Sequence, residues 1–364
     1  MMTLLYLAAF VVILSIVVVV HEGGHFLVAR LSGVQVTAFS VGFGPKLLSW
    51  KDKHNTEWKI CAVPLGGYVQ MLGDEDAASM GKSLEGLTEE EKKRTFMAQP
   101  LYKRAAIIFA GPFMNYVLAV LLLTGVLTFY GYPILPAVIG SVIEGSAAEE
   151  AGILAGDKVL SINGEAVETF DDMRRIIIIS DFGKSANVEI LRDGEIIHVS
   201  LMPRVVEGSK VPMLGVLSEA KIDVSMEKYN PFVAFVKAVA MTGRITADTT
   251  VYLGQVLSGR RSADDMRGPL GIAEASGDAA RAGFVSFIMF LIQVSIGIGF
   301  INLLPIPLLD GGHLAMYGWE AVFRRPLGEK AQNVLMRVGI VLLLSLFIFT
   351  LWKDIPRVFE RIFS

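Results

Sequence analysis

Cysteine is almost absent from this 364-residue sequence, which contains only Cys61. One thiol forms no internal disulfide and cannot build a cysteine zinc site, which takes two to four thiolates. Any metal centre must therefore draw on Asp, Glu and the five histidines. Charge is also sparse. Asp and Glu slightly outnumber Lys and Arg, for a net charge of −3, so the chain lacks the basic surface that nucleic-acid binding requires. Apolar residues fill the space instead: 53% of the chain is hydrophobic and the mean hydropathy is +0.53, beyond the usual soluble globular range.

Four segments are long and apolar enough to cross a bilayer, which takes about 20 residues. They fall at roughly 4–29, 105–130, 284–304 and 338–352. The first is a poor signal peptide, because no Lys or Arg precedes Arg30 and the apolar run is long with no small-residue cleavage site. Lys46, Lys51, Lys53, Lys59, Lys92, Lys93, Arg94 and Lys103 follow the first span, and Arg324, Arg325 and Lys330 lie between the third and fourth. The positive-inside rule puts both connections in the cytoplasm, and the long segment 131–283 outside. Both chain ends are then expected outside, although Lys353, Arg357 and Arg361 weigh against this at the C-terminus.

The expected fold is a polytopic α-helical membrane protein with a membrane-associated β-rich element and an inserted extracytoplasmic α/β domain. Its divisions are 1–30 (first span), 31–103 (β-element and acidic loop), 104–131 (second span), 132–206 (α/β domain), 207–283 (connector), 284–314 (third span) and 315–364 (cytoplasmic connection and fourth span). Alternating, β-branched and aromatic residues at 34–39 and 56–61 predict strands. Gly42-Phe43-Gly44-Pro45 and Pro64-Leu65-Gly66-Gly67 read as turns or bulges. Asp74-Glu75-Asp76 and Glu89-Glu90-Glu91-Lys92-Lys93 read as a solvated loop with a short helix. Beyond the second span, a strand ending in Asn163-Gly164, a helix over 171–179 and a hairpin around Asp193-Gly194 are expected. With Ala151-Gly152-Ile153-Leu154-Ala155-Gly156-Asp157 this stretch resembles a bacterial PDZ domain. Such a domain takes an extended peptide or C-terminus as an added strand, or acts only as a gate or spacer. An amphipathic helix over 232–257, with Phe232, Phe235, Val236, Val239 and Met241 near one side, lies on the membrane or packs against the PDZ-like domain.

The chemistry centres on His21-Glu22-Gly23-Gly24-His25 in the first span. Residues four apart share a helix face, so both imidazoles reach one ion, and Glu22 reaches water beside it. An acid inside a span costs roughly 2.5–3.5 kcal/mol on insertion scales and marks function by default. Gly23 and Gly24 each weaken the helix by about 1 kcal/mol, a loss that makes sense if another backbone approaches closely. A catalytic zinc takes three protein ligands and leaves one position open. His54 and His198 fall in hydrophilic segments, so the better third donor is Asp310, which follows Pro305 and Pro307 at the end of the third span. The carboxyl ends of the first and third spans face the same side.

HExxH in the first span, with Asn302-x-x-Pro305-x-Pro307-x-Leu309-Asp310-Gly311 after the third, resembles the site-2 proteases, and most closely their RseP-type bacterial branch. Pro64-Leu65-Gly66-Gly67-Tyr68-Val69, Ala110-Gly111-Pro112-Phe113-Met114-Asn115 and Gly268-Pro269-Leu270-Gly271-Ile272 extend the likeness over nearly the whole chain. The resemblance implies Zn2+ held by His21, His25 and Asp310, with Glu22 as base. It also implies substrate contacts from Asn302, Pro305, Pro307 and Asn115, and a β-element that presents substrate as a strand. Gly66 and Gly67 are expected to supply that edge. The substrates implied are single-span proteins of a bacterial inner membrane, such as anti-sigma regulators, and remnant signal peptides. Only one PDZ domain is visible, where many RseP-type enzymes have two. His313 either orients a ligand or simply faces water. A membrane-anchored protease for soluble or misfolded proteins, a PDZ scaffold and a transporter are the other readings. The scaffold leaves Glu22 and Asp310 unexplained, and the transporter lacks inverted repeats.

Overall fold

A computed structural model describes residues 2–73, 86–180, 185–205, 212–218, 225–260 and 268–363; the acidic run Asp74-Glu75-Asp76 lies outside them. The chain opens with helix α1 (Met2–Leu31), strands β1 (Val36–Lys51) and β2 (Glu57–Met71), the short helix α2 (Glu89–Lys93) and α3 (Leu101–Gly125). A π-helical turn, Val126–Tyr130, closes α3. There follow β3 (Tyr132–Ile134), β4 (Ile139–Val142), α4 (Ala147–Glu150), β5 (Lys158–Ile162), β6 (Glu165–Ala166), α5 (Phe170–Ile179), β7 (Ala186–Arg192) and β8 (Glu195–Leu201). Next come β9 (Arg204–Val205), β10 (Pro212–Met213), β11 (Val216–Ser218), β12 (Ser225–Glu227) and α6 (Pro231–Leu257). The chain finishes with α7 (Pro269–Ala282), α8 (Phe284–Leu303), α9 (Asp310–Phe323) and α10 (Glu329–Phe363). Four stretches are long and apolar enough to span a membrane: Leu4–Leu31, Leu101–Tyr130, Phe284–Leu303 and Lys330–Ile355. The fourth helix extends well beyond the 338–352 expected from the apolar run alone. Two compact units result, Met1–Leu123 with Arg267–Ser364, and Thr124–Met266.

In the first unit the membrane helices meet where side chains are small or apolar. Ile13 and Val17 of α1 bury against Leu291 of α8. A Cβ at Gly24 would collide with the Ala110 carbonyl of α3, so glycine there lets two backbones touch, as is common between helices in lipid. Gly23 meets nothing within 4 Å, so only one glycine of the pair serves close approach. Helix α7 gathers one end of the unit. Tyr6 Oη donates to Asp278 Oδ1 at 2.7 Å. The buried Asp354 carboxylate of α10 accepts from the backbone N–H groups of Gly268 (3.2 Å) and Gly271 (2.9 Å). Gly268 is the N-cap of α7 and offers no side-chain cap of its own, so Asp354 satisfies donors a helix start leaves open. The start of α1, the start of α8 and the end of α10 therefore share one end, and the end of α1 and the start of α9 share the other.

Strands β1 and β2 form more than a simple hairpin. Residues 36–41 lie between 67–71 on one side and 57–60 on the other, and 46–51 pair with 57–61 beyond. The expected turn glycines fall inside the strands, where Gly42, Gly44 and Gly66 take positive φ at register shifts. Bulges bend two long strands into four short ribbons. Among the described residues no strand pairs with the outer side of 67–71, and Val36, Phe39, Val69 and Met71 bury against Ala29 and Ile107.

In the second unit, a four-stranded sheet in the order β6-β5-β7-β8 packs on α5, around Val159, Ile162, Met173, Ile177, Val188 and Ile190. Asn163-Gly164 and Asp193-Gly194 form the turns with positive φ at both residues, the type I′ geometry that suits a twisted hairpin. Thr169 and Asp172 build a capping box on α5. Helix α6 packs through Ala234, Ala238 and Thr242 and leaves Phe232, Phe235, Val236 and Val239 exposed. It joins α5 through Arg175 to Asp248 (3.2 Å) and Arg244 to Asp172 (2.9 Å). Packing against α5 therefore holds for one side of α6, while its apolar stripe faces outward.

Asp157, 1% exposed, accepts from Arg192 Nε and Nη2, both at 2.7 Å, and from the Leu154 N–H at 2.8 Å. Burial opposes its charge, but the Arg192 guanidinium and the Leu154 amide outweigh that and hold the carboxyl below its usual range. A depressed carboxyl stabilises the fold above its unfolded-state pKa of about 3.9, and that contribution fades as pH falls through the folded value. Asp157→Asn should cost the unit about 1–3 kcal/mol at neutral pH. Its stability should vary less with pH below about 4 than that of the wild type. Hydrogen exchange of the β5 and β7 amides in the full chain measures both effects.

Candidate metal centre

His21 and His25 sit one turn apart near the end of α1 and are both buried. Their rings are nearly perpendicular, at 84°, so the two Nε2 atoms converge to 3.3 Å. Asp310 opens α9 and brings Oδ2 to 3.1 Å from His21 Nε2 and 3.5 Å from His25 Nε2. Among the described residues these three are the one His/Cys/Asp/Glu group close enough to share an ion. With metal–ligand bonds of 2.0–2.2 Å, tetrahedral ligands lie about 3.3–3.6 Å apart. Two of the three separations fall in that range, and the His21–Asp310 distance of 3.1 Å is slightly shorter.

The protonation pattern fits as well. His25 Nδ1 donates to the Ile107 carbonyl at 2.8 Å; a carbonyl only accepts, so the neutral ring turns the Nε2 lone pair inward. Asp310 Oδ2 is buried without a hydrogen bond. Electron pairs aimed at one another in a dry site repel unless a cation lies between them. The donor set therefore suits zinc, with three ligands and room for a fourth.

Local backbone sets Asp310. Helix α8 ends before Pro305, and Leu308 takes a φ of 80°, a strained turn for a branched side chain. A Cβ at Gly311 would run into the Leu303 and Leu304 carbonyls, and one at Gly312 into the Ile306 carbonyl, so α9 starts hard against its own linker. One face of α9 carries Asp310, His313, Tyr317 and Glu320. Glu320 Oε1 accepts from Arg104 Nη2 of α3 at 2.6 Å, and the Arg104 guanidinium lies 5.2 Å from the Tyr317 ring centre. The pair ties the aspartate-bearing helix to the start of α3.

A cleft of about 380 Å³ opens on the donors, with Glu22, Gly66, Gly67, Asn302 and His313 in its wall. Glu22 accepts a hydrogen bond from the Val69 backbone. A Cβ at Gly67 would lie 2.6 Å from the Ser40 carbonyl, 2.9 Å from Val18 Cγ1 and 3.3 Å from Glu22 Cγ, so glycine brings the 67–71 edge down onto Glu22. Three of the expected substrate contacts lie elsewhere. Asn115 is fully buried behind His21, with Nδ2 and His21 Nδ1 3.2 Å apart. Pro305 and Pro307 line a separate cavity with Trp319, Leu335 and Met336, because the proline turn that aims Asp310 inward points its own rings away. His54 and His198 are exposed.

Sequence reasoning missed Phe96, Met97 and Tyr317 in the cleft, because Phe96 and Met97 follow a polar run that reads as solvated. It also missed the Ile107 carbonyl, since a backbone atom leaves no mark on residue type. Gly111 stood out only as part of a motif, yet a Cβ there would overlap Nε2 of His25 and come within 2.9 Å of His21 Nε2. Gly111→Ala should therefore abolish stoichiometric zinc while helix content persists, as elemental analysis and circular dichroism of the purified protein will test.

The comparisons with known proteins agree with this geometry. A profile of peptidase family M50 matches residues 9–346. A Rhizobium meliloti protein named as a zinc metalloprotease is 42% identical over 361 residues, covering 96% of each chain. One of the same description from Agrobacterium fabrum is 41% identical over 360 residues, covering 96% of this chain and 95% of its own. Metalloprotease MmpA of Caulobacter vibrioides is 34% identical over 385 residues, covering 97% and 96%. With nearly its whole length matched and a zinc-type donor set at the end of two apolar helices, the chain belongs to peptidase family M50, the site-2 proteases, and is a zinc metalloprotease.

Proposed function

We propose that this protease cleaves single-span membrane proteins within the bilayer, at the bacterial inner membrane. The observation that carries the reading is the position of the metal donors: two on a membrane-length helix and one directly after another. The substrates are regulators of the anti-sigma type and remnant signal peptides. The centre lies toward the cytoplasmic side, with both termini and the PDZ-like unit in the periplasm.

A peptide bond in a membrane helix is shielded, because each carbonyl already accepts from the N–H four residues on. Cutting requires local unwinding, and the freed backbone groups need new partners in a dry setting. The 67–71 segment pairs with 36–41 on one side and has no strand on the other among the described residues, so it offers a template for an added strand beside Glu22. Zinc, when bound, supplies Lewis acidity that polarises the scissile carbonyl and acidifies water. Glu22 takes a proton from the attacking water as the new C–O bond forms. It returns that proton to the departing nitrogen as the C–N bond breaks, leaving a free carboxyl and a free amine.

In the second unit, an apolar cavity of about 230 Å³ lies between α5 and β11, walled by Met173, Ile177, Leu214 and Leu217. An extended peptide or C-terminus fits there as the PDZ ligand.

Glu22→Gln should lower cleavage of a reconstituted single-span substrate by about 10²–10⁴-fold with zinc content unchanged. Mass spectrometry of the products should place the cut inside the apolar segment. Full activity in the variant removes the role of Glu22, and cuts confined to soluble segments remove the intramembrane reading.

A further inference from the structure

The two histidine ligands are held from behind by one helix. His25 Nδ1 meets a carbonyl, and that fixes its proton on Nδ1. His21 Nδ1 meets the side-chain amide of Asn115 at 3.2 Å. Asn115 is 0% exposed, and among the described residues this is its single side-chain hydrogen bond; the other end of the amide has no partner. A buried amide engaged at one end costs free energy that an apolar residue of the same size would not. Its one polar contact is the outer nitrogen of a metal ligand.

The oxygen and nitrogen of an amide have nearly the same shape, and chemistry decides which end faces the ring. If the NH2 group faces His21, Nδ1 must accept, and the neutral ring carries its proton on Nε2. That proton would point at His25 Nε2, 3.3 Å away, and Asp310 Oδ2, 3.1 Å away, and would occupy the lone pair a metal needs. If Oδ1 faces the ring, Nδ1 donates and Nε2 is left bare, matching His25. Partners of this kind fix ring orientation and tautomer in metal sites.

We infer that Asn115 is a positioning residue that accepts a hydrogen bond from His21 Nδ1 through Oδ1, holding His21 in the tautomer that binds zinc. The assignment rests on zinc at the His21, His25 and Asp310 donors and not on which protein is cut. It moves Asn115 from the substrate channel to the back of a ligand.

The test compares Asn115→Leu, which keeps size and loses the acceptor, with Asn115→Asp, which keeps an acceptor and loses the donor. Zinc dissociation constants come from chelator competition on the full chain in detergent. Asn115→Leu should bind zinc about 10–100-fold more weakly, and Asn115→Asp should bind at least as tightly as wild type. Wild-type zinc affinity in Asn115→Leu would overturn the proposal. Equal weakening in both variants would overturn it too, because loss of packing would then suffice. Should Asn115→Leu fail to fold, nitrogen NMR of ring-labelled, zinc-free wild-type protein at mild alkaline pH still decides. A His21 proton on Nδ1 supports the assignment, and one on Nε2 refutes it. Neither readout needs a cleavage event, so an error in the proposed substrate class leaves both results interpretable.

Discussion

Three electron-pair donors face one another at about the spacing of a metal's ligands, two of them on buried histidines near the end of α1 and the third on a half-buried aspartate at the start of α9. Without a cation this arrangement is unfavourable, because a carboxylate withdrawn from water costs several kcal/mol unless it is paired. Much of the first unit can be understood as keeping those donors from relaxing apart. Helix α1 supplies two of them through its own periodicity. The third comes from a separate helix, so its position depends on the strained turn at Leu308 and on glycines that press α9 against its linker.

The surrounding packing is directional rather than generally apolar. Lipid offers little hydrophobic drive for one helix to prefer another, and specific polar contacts do the locating. The Arg104–Glu320 pair sits at the site end of the unit and Asp354 caps α7 at the other. Between them, Gly24 lets α1 and α3 touch. A carboxylate drawn from water is costly to leave without its partner, which suits the part-buried Arg104–Glu320 pair and the amide-bound Asp354 to fixing register.

Much of the architecture was legible because membrane spans and HExxH are local patterns. The apolar runs located four helices within a few residues, except the last, where charged turns extend the helix beyond its apolar centre. His21, His25 and Asp310 could be linked because helix ends on the same side of a membrane are forced to similar depth. Azimuth was not legible. Pro305 and Pro307 belong to the same motif as Asp310 yet face another cavity, and Asn115 stands behind a ligand where the motif suggested the channel. The bulged ribbons of β1 and β2 also escaped, since a glycine inside a strand and a glycine ending one look alike in sequence.

Ile107, Gly111 and Asn115 follow one another at intervals of four along α3, so a single ridge of that helix backs the entire centre. One residue inserted upstream within the helix would swing this ridge by about 100°. The carbonyl, the bare backbone and the amide would then all miss the imidazoles together. Substitutions on the lipid-facing side of α3 are far less constrained than its length, and drift in this helix should run through exchange of residues rather than through insertion or deletion.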